Sequence, residues 1–238
     1  MRKTALLILL LCGGIQAFAQ ESTPLEKDLS YAEYLVNNQR RELAYSKINE
    51  IIKQHANCSQ AYYLRASNYL EDGNDKAAMK DINRALQYNS QNATYLALKS
   101  MILYKQGKTE SAGEIMEQAL RRDSQTILGN TQRRLNIAEI LVTSGNTIDA
   151  FPIINSVENH DGNFYRVRGM AYAYGNMNTY AINDLSKALD MDPHLEDTYI
   201  WRGMAKYNNG DRDGALNDWN TAIKRGLYKA KEFIEKYK

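Results

Sequence analysis

Residues 59 to 92 read SQAYYLRASNYLEDGNDKAAMKDINRALQYNSQN. Tyr62, Leu64, Ala66, Tyr69 and Leu70 recur with helical spacing, and the pattern stops at Gly73-Asn74. Ala78, Ile82, Ala85 and Leu86 then mark a second helical face. Gly73 sits where the first helix must end, a position that favours a residue tolerant of left-handed φ. The stretch therefore predicts helix, tight turn, helix.

Working outward, the same unit recurs. Ala32, Ala66, Ser100, Ala138, Gly169 and Gly203 stand at spacings of 34, 34, 38, 31 and 34. Ala44, Ala78, Ala112, Ala150, Ala181 and Ala215 keep those spacings, and so do Ile51, Ala85, Ala119, Val157, Ala188 and Ala222. Three ladders moving together, through the same irregularity, define one unit of about 34 residues used six times. Gly107, Gly145, Asn176 and Gly210 hold the turn place of Gly73, whereas Gln39 holds it in the first unit. The small residues mark where helix axes approach most closely. One helix pair cannot bury both its apolar faces, so the units must stack into a solenoid.

An aromatic early in the first helix, small residues at the eighth, twentieth and twenty-seventh places, and a closing Pro193 resemble the tetratricopeptide repeat family. FYRVRGMAYAYGNMNTYAINDLSKALDMDP and TYIWRGMAKYNNGDRDGALNDWNTAIKRG match that pattern best. The resemblance implies an all-α, right-handed superhelical solenoid of about six units. These are expected at about 25–58, 59–92, 93–126, 131–161, 162–195 and 196–226, within an array over 25–226.

The fourth unit is irregular. Four extra residues precede it (Ile127 to Asn130), three are missing at its end, and Pro152 falls inside its second helix. A proline there removes a backbone hydrogen bond and clashes with the preceding turn, at about 3 kcal/mol. A shortened or kinked helix is predicted, either as tolerated drift or as a bend that shapes a binding site.

The two ends differ from the array. Residues 1–19 read as a secretory signal, with Arg2 and Lys3, an apolar run from Ala5 to Leu11, and Ala17-Phe18-Ala19 before Gln20. Cleavage is expected between Ala19 and Gln20, leaving 20–24 as a short leader to the array and no membrane span. Lipid anchoring at Cys12 is disfavoured because Leu11 precedes it, where a small residue is required. The expected location is the periplasm or cell envelope of a bacterium. At the other end, Leu227, Ala230, Phe233, Ile234 and Tyr237 line one side of residues 227–238, an amphipathic helix suited to capping the last unit.

Composition argues against several functions. Lys and Arg number 30 against 28 Asp and Glu, and removal of Arg2 and Lys3 brings them level, so no field draws the chain to nucleic acid. Beyond Cys12, Cys58 is the single thiol, which leaves no internal disulfide. His55, His160 and His194 fall in different units, too far apart to share a metal. Asp190 and Asp192 occupy the usual acidic end of a repeat. No nucleophile elbow, P-loop or dinucleotide fingerprint is present, so the reading is of a protein without catalytic activity, cofactor or metal.

Recognition remains. In the family, certain places on the first helices point into a concave groove. Carried over, the wall holds Tyr63, Leu70, Met101, Tyr104, Glu139, Arg166, Met170, Tyr174, Met204 and Tyr207. Met adapts to irregular apolar shapes, and Tyr adds contact area with a hydroxyl. The expectation is an interaction scaffold that holds an extended or helical segment of another protein, with Glu139 and Arg166 fixing its polar ends. A glycan or small ligand stacked on Tyr63, Tyr104, Tyr174 and Tyr207 is the alternative. The two-carboxylate clamp by which some family members hold chaperone tails is not reproduced. Its places carry Tyr63, Ser67, Leu98, Gln132 and Asn136, without the basic pairs.

Overall fold

The computed structural model describes residues 22–237, so the signal segment, Cys12 and the Ala19–Gln20 junction lie outside the described residues. Among these, the regular structure is thirteen α-helices and no strand. They run as pairs: α1 (Pro24–Asn37) with α2 (Arg41–Gln54), α3 (Ser59–Glu71) with α4 (Asp75–Tyr88), and α5 (Ala93–Lys105) with α6 (Thr109–Ile127). α7 (Thr131–Thr143) and α8 (Thr147–Asn155), α9 (Gly162–Tyr174) and α10 (Asn178–Met191), and α11 (Asp197–Asn208) and α12 (Arg212–Lys224) follow, with α13 (Ala230–Tyr237) last. Each pair packs on the next, giving an all-α solenoid of six units and a terminal helix.

All eighteen ladder positions are buried. The contact they make is visible at Ser100, whose hydroxyl donates to the Ala112 carbonyl at 2.6 Å. A side chain added to Gly169 would sit 2.6 Å from Leu185 Cγ, and one added to Gly203 would sit 2.5 Å from Trp219 Nε1. First and second helices touch there with no room for a methyl group.

The turns share one geometry. Gly73, Gly107, Gly145 and Gly210 have φ between 72° and 91°, and Asn176 has φ 57°. Gln39 adopts φ 55°, so the first unit keeps the left-handed turn although it lacks the glycine. Several second helices begin with an Asx cap: Asn74 accepts from Ala77 N, Asn146 from Asp149 N and Asp211 from Gly214 N.

The second helix of the irregular fourth unit is short, as expected, and it continues through Pro152 to Asn155. α8 has 9 residues, against 12 to 19 for the other helices of the array. Pro152 cannot donate to the Ile148 carbonyl, and Ile148 itself is 83% exposed. Val157, the third ladder position, lies beyond the helix and is still only 2% exposed. Of the residues counted as an insertion, Ile127 ends α6 and Leu128 to Asn130 form the loop to α7. The chain breaks from helical geometry at Asp123 (φ −158°, ψ 82°) and resumes it. Asp123 Oδ1 accepts from Thr126 N at 3.0 Å, and Ile127 is buried.

One repeated interaction escaped the sequence reading. Arg65 grips Asp81, Arg168 grips Asp184, and Arg202 grips Asp218, each through two guanidinium nitrogens at 2.6 to 3.0 Å. Each pair ties the first helix of a unit to its second, sixteen residues on. In the fourth unit the equivalent positions are Ile137 and Ile153, both buried. The paired aspartates are almost wholly buried, so losing the arginine would strand a charge.

α13 closes the array. Phe233 and Tyr237 stack on Trp219 at 5.9 and 5.7 Å, and Tyr237 meets Tyr207 at 4.5 Å. Two substitutions should move stability in opposite directions in urea unfolding monitored by circular dichroism. Gly203→Val should cost about 1–3 kcal/mol by overpacking against Trp219. Gln39→Gly should gain about 1 kcal/mol by relieving a left-handed backbone.

Candidate functional site

The first helices α3, α5 and α7 lie side by side and enclose an open groove. One cavity of about 300 Å³ is lined by Tyr63, Ser67, Leu70, Ala97, Met101, Gln132, Arg133 and Asn136, among others. A second of about 270 Å³ shares Leu70, Glu71, Met101 and Asn136 with it, and adds Tyr104, Lys105 and Glu139. The two are one continuous depression across the second, third and fourth units. Its floor is apolar because these first helices carry Leu, Ala and Met at the inward places. Ile127, delivered by the broken end of α6, completes that floor.

Five of the ten expected wall residues meet here: Tyr63, Leu70, Met101, Tyr104 and Glu139. Gln132 and Asn136, noted at the clamp places for what they lack, also line it. Gln132 Nε2 donates to Asn136 Oδ1 at 2.8 Å. Arg133 was not anticipated. It lines the first cavity only, whereas Glu71 lines both.

The other five lie outside this groove, and of them Tyr174 alone is exposed. Met170 is 1% exposed and belongs to the core. Met204 and Tyr207 are covered by α13, because its apolar face needs a partner and finds it on the last unit's inner side. Tyr174 packs its ring on Trp201 at 5.3 Å.

Arg166 is buried and committed within the fold, so it does not wait for a partner's polar end. Its guanidinium donates to Glu139, to Asp197 Oδ2 at 2.9 Å and to Asn163 Oδ1 at 2.8 Å. Tyr104 completes the network by donating its hydroxyl to Glu139 Oε1 at 2.7 Å. Burial alone would push the Glu139 carboxyl up, but the Arg166 hydrogen bond and charge, with the Tyr104 hydroxyl, hold it below the usual range. The same Glu139 raises the Tyr104 phenol, together with that group's own burial. Proximity across four different first helices is a tertiary fact, and no local motif announces it.

A depressed carboxylate stabilises the fold fully above the ordinary glutamate range near pH ~4.3 and loses that contribution as pH falls through its folded value. Glu139→Gln should therefore cost roughly 1–3 kcal/mol at pH 7. The gap to the unaltered protein should close on acidification, as read by urea midpoints at pH 7 and below pH ~4.

Several solved structures share this architecture. YrrB, described as a tetratricopeptide repeat protein with an unusual peptide-binding site, is 18% identical with a TM-score of 0.54, over 79% of this chain and 97% of its own. PilF of Pseudomonas aeruginosa is 13% identical with a TM-score of 0.57, over 89% and 97%. A tetratricopeptide repeat protein from Parabacteroides merdae is 20% identical with a TM-score of 0.52, over 92% and 85%. No curated protein matches the sequence. The family model of the coatomer epsilon subunit matches residues 13–231, the whole array and the start of its cap. A tetratricopeptide-type solenoid built of six helix pairs, matched over that span, belongs to the coatomer epsilon subunit family.

Proposed function

We propose that this protein is a non-catalytic interaction scaffold, exported to the cell envelope, that holds a segment of a partner protein in the groove of its second to fourth units. The observation that carries this reading is the continuous depression across α3, α5 and α7, with an apolar floor and polar rims. An extended segment fits such a trough: apolar side chains settle among Leu70, Ala97 and Met101, while Ser67, Gln132 and Asn136 meet backbone groups. The peptide-binding site named for YrrB, a structure of the same fold, supports the class of partner. Among the described residues no cluster of His, Cys, Asp and Glu is suited to a metal ion, and the buried charges are neutralised within the fold. Among them, too, no helix is long and apolar enough to cross a membrane.

The glycan alternative finds less support. Tyr207 is stacked under α13, Tyr63 stacks on Tyr95 at 5.0 Å, and the Tyr104 hydroxyl is held by Glu139. A sugar platform needs a free ring face and polar groups beside it.

A photo-crosslinking residue placed at Met101 should capture a discrete partner band from envelope extracts, and one placed at Lys80 on the opposite side should not. Met101→Lys should then weaken recovery of that partner by about tenfold or more, since it puts a charge on the apolar floor. Equal capture at both positions sinks the groove reading. Export is checked separately by N-terminal sequencing of the mature protein, with Gln20 expected first.

A further inference from the structure

The network around Arg166 has a geometry beyond that of an isolated buried ion pair. Tyr104, Glu139, Arg166 and Asp197 come from α5, α7, α9 and α11, four consecutive first helices. Counting each unit from its ladder residue as the eighth place, they occupy the twelfth, ninth, fifth and second places. They thus form one diagonal line along the inner wall from the third unit to the sixth. The line crosses the fourth unit, the unit whose second helix has only 9 residues and is followed by a non-helical stretch at 156–161.

We propose that this line is a clasp, which fixes the bend of the solenoid where the short α8 leaves the outer side weakly braced. In the regular units a full-length second helix sets the angle between neighbours, and in three of them an Arg–Asp pair locks the two helices together. The fourth unit has neither the length nor the ion pair. Its relation to the units on either side is held instead from within. Arg166 reaches back to Glu139 and forward to Asp197, and Glu139 is in turn held by Tyr104. Lys229, ahead of α13, adds its charge to the groups acting on Glu139.

The partners fit such a role. Glu139 and Arg166 are largely buried, so their pairing is shielded from solvent, and removal of Arg166 strands the Glu139 carboxylate. Asp197 and Tyr104 lie nearer the surface at the two ends of the line. Tyr104 and Glu139 also line the groove, so an occupant there touches the clasp. That coupling rests on the groove reading above; the clasp itself does not, and it can be tested without any partner.

The test measures a distance across the fourth unit by pulsed electron paramagnetic resonance. The chain carries Cys12→Ser and Cys58→Ser, with spin labels at Lys80→Cys on α4 and Asn220→Cys on α12. Both sites are exposed. The otherwise unaltered protein is expected to give a narrow, single distribution. Arg166→Met, with helical circular dichroism retained, is expected to widen it roughly twofold or to displace its centre by several ångströms. Should Arg166→Met fail to fold, Tyr104→Phe with Asp197→Asn removes both ends of the line while keeping the buried pair, and the same widening is expected. An unchanged distribution in the folded variant overturns the clasp, and so does a distribution already broad before any clasp residue is altered.

Discussion

The constraint on which the molecule depends is the close approach of helix axes at the ladder positions. Stacking helix pairs buries an apolar stripe on each helix only if the backbones can come near enough to exclude water between them. Ala, Ser or Gly at the eighth and twentieth places permits this within a unit, and the twenty-seventh place permits it between units. The absence of space beside Gly169 and Gly203 shows how little tolerance remains. Larger side chains fill what is left around these contacts, among them Trp219, Phe164 and Met116, all essentially inaccessible.

From that spacing the remaining features follow in order. First helices held side by side must present one row of side chains to a common concave surface. Where those residues are small or apolar and nothing else covers them, as on α3, α5 and α7, a groove remains. Where they are long and charged, as at Glu139 and Arg166, they find each other across the narrow gap. At the end of the stack an amphipathic helix supplies the cover that a seventh unit would have given. Open groove, buried polar line and covered end are three outcomes of one arrangement, separated by side-chain chemistry alone.

The irregular unit shows how such a fold absorbs a violation. Pro152 removes one hydrogen bond inside the short α8, yet the carbonyl it orphans belongs to the highly exposed Ile148. Val157 reaches its ladder position from the turn that follows α8 rather than from a helix, and the core continues through it. Packing at the ladder tolerates a change in local conformation as long as the side chain still arrives.

The repeat, the helix pairs, the left-handed turns and the capping helix were all legible in the sequence, because each is set by spacing or by local backbone chemistry within a few residues. Even Pro152 announced its effect, since a missing N–H acts within one turn. What tertiary structure alone decided is the fate of each inward side chain. Met101 and Met170 occupy equivalent kinds of place, yet one floors a groove and the other is sealed in the core. Arg166 read as a free anchor and proved to be neutralised by residues 27 positions before it and 31 after it. Whether a side chain meets solvent or a neighbour depends on how helices far apart in the chain are set against one another, and no local pattern encodes that distance.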